Sequence, residues 1–483
     1  MEAFMLRAAS AALLLACAAP VGALAQAPAH DAPDEVLLDD LSERTFRFFW
    51  ETTDHETGLT PDRHPTPDFS SVASIGFALN AYGIGVERGW VSREDAAERT
   101  RNTLKYLYEL PQGPEESGTA GHKGFFYHFL DYDTGHRHAQ VELSTVDTAL
   151  LLAGALFAES YFDGDDPVEA EIRDYTGRLF DRVDWAWAQN NAPAVSLGWH
   201  PETGFIEHDW IGYNESMIVY IIALGAEENG LDPDAWEAWT SGYDPQWSSH
   251  HGEEHLQFSP LFGHQFSHAW VDFRGIHDAY MAERGIDYFE NSRRASVSQY
   301  NYANANPMGW QGYGGGVWGI TACDGPGPFE LDYQGETREF RGYSARGPGY
   351  PDDVDYDGGA FDDGTIAPTA ALGSFPFTPE LSMEALRAFL ERWGDDLYGE
   401  YGFWDAINPS FTYTDVELER GNIIEGVGWV AHDHIGIDQG AILTMVENHR
   451  SGLIWNVMRE NPRLRRGLER AGFTGGWLDG EAP

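Results

Sequence analysis

Lysine is almost missing from this chain: Lys105 and Lys123 are the only two among 483 residues, and the remaining permanent cations are arginines. Thirty Lys and Arg stand against 78 Asp and Glu, a formal net charge of −48. An acidic field of that size repels nucleic acid and anionic membrane surfaces, so neither is an expected partner. An acidic, Lys-poor surface also stays hydrated in high salt, which points to a salt-adapted source. Cysteine is equally scarce, with Cys17 and Cys323 alone. If the N-terminus is cleaved off, Cys323 has no mate for an intramolecular disulfide, and it reads as a buried small hydrophobe. Beyond the N-terminus no run is long and apolar enough to span a bilayer, so no membrane insertion is expected.

What is present is core material: 42% hydrophobic and 14% aromatic residues, with 17 Trp. Flat indole faces also suit the faces of pyranose rings, so part of this Trp set is expected in a sugar-binding cleft. The first residues read as an export signal. Arg7 supplies the positive end, Ala8 to Ala19 the apolar stretch, and Ala23-Leu24-Ala25 a small-x-small cleavage site before Gln26. Lipoprotein processing at Cys17 is the rival reading. The expected organisation is a signal peptide at 1–25, a Pro/Ala tether at 26–35, one catalytic domain over 36–475 and a tail at 476–483. The expected location is periplasmic or secreted, and the expected state a monomer.

Helical periodicity recurs about a dozen times, with few convincing strands. Predicted helices cover Asp34–Trp50, Ser71–Arg88, Arg93–Leu110, Ser144–Tyr161, Pro167–Ala188, Asn214–Ala226 and Ser267–Arg284. Others cover Phe289–Asn304, Thr369–Leu372, Ser382–Trp393, Gly436–Asn448 and Gly452–Glu460. Two kinds alternate. Arg93–Leu110 and Pro167–Ala188 carry a charged outer face, whereas Thr148–Phe157 and Met217–Leu224 are apolar nearly all round and must be buried on every side. Polar-faced helices around apolar ones describe an all-α toroid with an inner and an outer ring, its cleft built by loops at the inner-helix N-termini.

The loops before the two most apolar helices hold the most suggestive acids. One carries Glu142, Ser144 and Asp147; the other carries Asp209, Trp210, Tyr213, Asn214 and Glu215. A glycosidase needs two carboxyls across the scissile bond, one to protonate the leaving oxygen and one to activate water or to attack. Structural readings compete. Ser144-x-x-Asp147 resembles a capping box, Asn214 is a good N-cap, and Glu215 in a first turn suits the helix dipole. That dipole lowers the pKa of Glu215, so burial among Trp210, Tyr213 and other apolar groups must outweigh it if Glu215 is a general acid.

Seven blocks carry a resemblance. Glu142–Phe157 (ELSTVDTALLLAGALF), Trp210–Glu215, Pro260–Tyr280 (PLFGHQFSHAWVDFRGIHDAY) and Gly285–Arg294 (GIDYFENSRR) are similar to the bacterial glycoamylase-like domain. So are Asn306–Pro326 (NPMGWQGYGGGVWGITACDGP), Asp363–Pro368 (DGTIAP) and Gly436–Leu443 (GIDQGAIL). The domain includes glycoside hydrolase family 144, whose members act on β-1,2-glucan as endo-glucanases or by releasing sophorose. The resemblance implies an (α/α)6 toroid, an anomer-inverting hydrolysis of a glucan substrate and no cofactor. It places the acid on Glu215 and the essential acidic cluster on Glu142 and Asp147. Inversion leaves room for a water, which sets the paired carboxyls roughly 6.5–9.5 Å apart.

Substrate-binding candidates in these blocks are Trp210, Tyr213, His264, Gln265, His268, Arg274 and Asp278, then Arg293, Trp310, Trp318, Asp324, Tyr343 and Arg346. Asp405, Asp438 and Gln439 follow, with Asp438 also a natural helix cap. Sugar hydroxyls are met by carboxylates, amides and Arg beside an aromatic platform. The acidic stretch before Asp363 departs from the family pattern. Asp353, Asp355 and Asp357 open with the rhythm of a calcium loop, but Gly364 stands at the twelfth position where Glu belongs, so a solvated loop is the expectation and a looser Ca²⁺ site the alternative. His432 and His434 lack a third zinc ligand. Rival functions are a transglycosylase or a glucosidase of other linkage on the same toroid, and a non-catalytic periplasmic glucan-binding protein.

Overall fold

Helices that are charged on one face alternate with helices that are apolar all round, and that alternation sets the layers. The computed structural model describes residues 27–66, 69–348 and 361–480. The expected signal segment with Cys17, and the triad Asp353, Asp355 and Asp357, lie outside the described residues. Among the latter the helices run α1 (Asp34–Thr52), α2 (Val72–Glu87), α3 (Arg93–Glu109), α4 (Thr145–Tyr161), α5 (Pro167–Asp181), α6 (Met217–Gly225), α7 (Asp234–Thr240) and α8 (Tyr243–Gln246). Then come α9 (Ala279–Arg284), α10 (Tyr288–Ala305), α11 (Pro368–Leu372), α12 (Pro379–Leu397), α13 (Gly436–Arg450), α14 (Leu453–Arg459) and α15 (Pro462–Arg470).

The apolar helices close an inner ring. α2 lies against α4, α4 against α6, α13 against α2, and α11 against α13. Between α6 and α11 the sixth place is taken by two 3₁₀ turns, Leu261–His264 and Ser267–Ala269. They are tied to α6 by the Ile218 N–H donating to Ser267 Oγ (3.1 Å) and to α11 by Gln265 Nε2 donating to the Ala370 carbonyl (2.8 Å). Outside them, α1 covers α13 and α2, α3 and α5 pair beside α2 and α4, α12 covers α11, α10 backs the first 3₁₀ turn, and α15 covers α6. The result is the (α/α)6 toroid. The α2–α4 seam is tight: a Cβ on Gly154 would collide with the Gly76 carbonyl and one on Gly76 with the Leu150 carbonyl. Phe77 of α2 crosses the ring to meet Phe266 and Trp270, and so plugs its centre.

Two predicted helices take another course. The Ser267–Arg284 stretch is broken because Asp272 accepts both the Arg274 N–H (3.1 Å) and its guanidinium (2.8 Å), a local bond that competes with the helix ladder, and Gly275 then turns at φ +75°. The helix expected from Asn214 starts at Met217. Asn214 Oδ1 accepts from the Ser216 N–H (2.9 Å) and hydroxyl (2.5 Å), which holds residues 214–216 in a side-chain-closed turn. Glu215 therefore stands just ahead of α6 rather than inside it.

Short strands gather where inner helices begin. Phe69–Ser71 leads into α2, Leu143–Ser144 into α4, and His434–Ile435 into α13. Leu143–Ser144 sits inside a five-stranded sheet, between Phe125–Tyr127 and Gly198–His200, with Tyr127 opposite Leu143 and Leu143 opposite Trp199. These pairings fix where the carboxylates of the adjoining loops point.

Candidate active site

A cavity of about 160 Å³ opens at this end of the ring. Asp147, Val146 and Leu150 of α4, Glu215, Phe262 of the first 3₁₀ turn and Phe266 between the two turns, His128, Ala322, Tyr343, and Ile437 and Asp438 of α13 line it. Its floor is apolar and its rim carboxylic. Tyr343 is the large aromatic exposed there among the described residues, at 54%. No Trp lines the cavity; Trp185, Trp239, Trp270, Trp310, Trp318, Trp429 and Trp455 are all fully buried.

On the α4 wall, antiparallel pairing puts His128 opposite Glu142, the His128 N–H donating to the Glu142 carbonyl at 2.9 Å. The side chains then meet: Nδ1 lies 2.8 Å from Glu142 Oε1, while Nε2 lies 3.6 Å from Asp147 Oδ1. Asp147 is 5% exposed and also accepts from the Ser144 hydroxyl, which in turn caps α4 by accepting the Asp147 N–H (3.2 Å). Burial disfavours an imidazolium here, but Asp147 and Glu142 more than offset it and hold His128 up at about 9. Glu142 responds in the opposite sense: against its own burial, the bond and charge of His128 lower its pKa.

Glu215 is the contrasting carboxyl. Its Oε2 is buried without a hydrogen-bond partner, and burial, reinforced by the charge on Asp147, lifts its pKa from 4.5 to about 7. Two carboxyls whose surroundings push them in opposite directions are what an acid and its ionised partner require. Trp210 braces this corner, its indole N–H donating to Thr145 Oγ1 (2.9 Å) at the head of α4.

Facing them, Asp438 in the first turn of α13 belongs to a buried acidic group. The Asp324 N–H donates to Asp405 Oδ2 (2.6 Å), and Arg63 bridges to Asp324 (2.8 Å). Burial and the Asp324 charge raise Asp405 to about 7; burial and Asp405 push Asp438 well above the carboxylate range. Asp62, beside Arg63, is lifted to about 6 by burial. Asp405 and Asp438 behave as a pair that holds a proton between them.

The remaining candidates lie in the surrounding frame of the site. Tyr213 is buried and stacked on Tyr288. His264 is buried; His268 lies 3.0 Å from Ser292 Oγ; Gln265 ties the 3₁₀ turns to α11. Arg274 pairs with Asp272 over Trp455, Asp278 caps α9 and accepts from Trp236 and Tyr288, and Arg293 pairs with Glu290. Trp310 and Trp318 are core residues. Arg346, fully buried on Asp363, donates to the carbonyls of Cys323, Arg341, Gly342 and Ser344 and thereby shapes the loop that presents Tyr343. Gln439 donates to the Phe403 carbonyl (2.9 Å). His434 does the same work from its Nδ1 (2.9 Å), and no His, Cys, Asp and Glu group fit for a metal ion occurs among the described residues. His128, Asp62 and Arg63 were not among the sequence candidates; strand pairing brings them in, His128 beside Glu142 and Arg63 opposite Ile435 at the head of α13.

The Glycoamylase family, described as "Putative glucoamylase", matches residues 207–462. A curated relative, the exo beta-1,2-glucooligosaccharide sophorohydrolase (non-reducing end) of Parabacteroides distasonis, is 30% identical over 478 residues, covering 92% of this chain. The chain spans 59% of that relative's length. Among solved structures, an endo-beta-1,2-glucanase from Chitinophaga pinensis in complex with sophorotriose and glucose matches with a TM-score of 0.77 at 25% identity, over 92% of this chain and 100% of that one. A beta-1,2-glucanase from Parabacteroides distasonis matches with a TM-score of 0.75 at 28% identity, over 91% of this chain and 60% of that one.

Proposed function

The chain belongs to the Glycoamylase family, and on that premise we propose that it is an exported, periplasmic or secreted glycoside hydrolase that cleaves β-1,2-linked glucan with inversion at the anomeric carbon. The observation that carries this reading is Glu215, a cavity carboxyl raised to about 7 beside an Asp147 that adds to the shift. A carboxyl still protonated near neutrality can give its proton to the glycosidic oxygen as the C1–O bond breaks. Glu142, with Asp147 next to it, is the proposed base that takes the proton of the attacking water. Each step is acid–base chemistry on side chains, so no cofactor is invoked. The names of the relatives support the β-1,2 linkage, and the exposed Tyr343 ring supports a pyranose platform at the rim.

The test is turnover of linear β-1,2-glucan by the wild type and Glu215→Gln, with β-1,3-glucan, β-1,4-glucan and starch alongside. Loss of the general acid is expected to lower kcat by about 10²–10⁴-fold. Near-wild-type turnover of the variant would remove Glu215 from the chemistry, and activity confined to starch would overturn the substrate. Proton NMR of the first-formed anomer separates inversion from a retaining transglycosylase.

A further inference from the structure

We propose that His128 is a positioning residue of this site: set between Glu142 and Asp147, it fixes Glu142 as the anion and leaves Glu215 as the group that holds the proton. The proposal rests on the reading of Glu215 as the proton donor.

The geometry begins in the backbone. Tyr127 pairs with Leu143, so the next residues along the ladder, His128 and Glu142, face each other, and the sheet fixes the imidazole between two carboxyls. Both ring nitrogens face acids: Nδ1 is hydrogen-bonded to Glu142 at 2.8 Å, and Nε2 lies 3.6 Å from Asp147 Oδ1, an ion-pair distance beyond hydrogen-bond reach. An ionised carboxylate only accepts hydrogen bonds, and a neutral imidazole has a single N–H. A neutral ring would turn a nitrogen lone pair toward one of the carboxylates; the imidazolium presents a donor to each. Phe129 stacks on the ring at 3.9 Å between centroids and shields it from water on that side.

The charges facing His128 all have one sign. Asp147 comes from α4, Glu142 from the paired strand, and Asp62 from the segment before the Arg63–His64 strand; these are the groups that hold the ring protonated, at about 9. His128 is also the only basic side chain among the residues that line the cavity. The effect passes on in order. The imidazolium lowers the pKa of Glu142, and the charge of Asp147 beside it adds to the burial that raises Glu215. Without the cation, three carboxyls of one desolvated site would compete for the proton, and no fixed one would face the glycosidic oxygen.

Two variants separate this role from a merely structural one. His128→Gln keeps a hydrogen-bond donor without the charge, and His128→Asn shortens it. In both, the acidic limb of the kcat–pH profile is expected to move up by about one unit, costing about tenfold in kcat at a pH on that limb, with KM changed far less. A drop in kcat by one factor at every pH, with both limbs in place, would overturn the proposal. A second readout needs no turnover. In ¹⁵N-histidine NMR spectra of the full chain, the resonances absent from His128→Gln are expected to report both nitrogens protonated at about pH 7.5, well above an ordinary histidine. A His128 that is neutral there would equally overturn it. If Glu215→Gln retains turnover while His128 stays protonated, the donor reading fails and the charge state of the bridge still stands, so the two failures are distinct.

Discussion

At Glu215 two influences oppose each other, and their sizes decide the chemistry. A helix N-terminus stabilises an anion by about 0.3–1 kcal/mol, and its effect fades within a turn. Glu215 lies outside the first turn of α6, with one carboxyl oxygen buried and unpartnered, so desolvation wins and its pKa stands at about 7. The folded value exceeds the unfolded one. Stability from this group is therefore complete below about pH 4 and is lost as pH rises through 7. Glu215→Gln removes that loss. The difference in unfolding free energy between variant and wild type, followed by denaturant titration, is expected to shift in the variant's favour by on the order of 2 kcal/mol between pH 4 and pH 8. A difference that stays constant over that range would mean that Glu215 ionises as freely folded as unfolded. Glu215 itself was legible as a candidate because it stands beside an apolar helix, yet its environment was not: the Asn214 turn that moves it off the helix depends on side-chain bonding. Around it, Gln265 and His268 are bonded within the frame, while Phe262 and Phe266 line the cavity.

Among elements, the inner helices were readable because burial on every side leaves an unbroken apolar run, as in α4 and α6. Amphipathic α3 and α5 were readable by their charged face. α15 carried a signal that a purely apolar search passes over: Asn461 accepts from the N–H groups of Arg463 and Leu464, with Pro462 at the first helical position. The two- and three-residue strands had no readable period, since a period-2 pattern needs more residues than they contain. Yet they place His128 and Glu142. The α2–α4 seam is likewise written in two glycines whose partners are distant in sequence. Gly154→Ala would drive a methyl into the Gly76 carbonyl, which is backbone and cannot rotate aside. The expected cost is about 1–3 kcal/mol of stability, with kcat falling as α4 and Asp147 shift. Chemical denaturation measures the first, and an unchanged midpoint would show that the seam has slack.

Some of the molecule's ion pairs are enclosed while much of its acidic charge is exposed. Arg346 and Asp363 are fully buried together, and Arg63 is enclosed by Asp62, Asp324 and Asp433, so added salt reaches these pairs poorly. The net charge is −48, and among the described residues many Asp and Glu are exposed, where their mutual repulsion opposes the compact state. At about 0.1 M salt the screening length is about 10 Å, and at 1 M it is about 3 Å. Repulsion between surface carboxylates is thus removed across that range while the buried pairs persist. The midpoint of thermal unfolding is therefore expected to climb steadily with NaCl, most steeply at the low end, where the screening length changes most. Choline chloride at matched ionic strength separates screening from specific sodium binding: equal gains with both salts assign the effect to charge, and a gain with NaCl alone assigns it to bound cations. A midpoint that is flat or falls in both would mean that the acidic surface costs the fold nothing, and the inference of salt adaptation from lysine scarcity would fall with it.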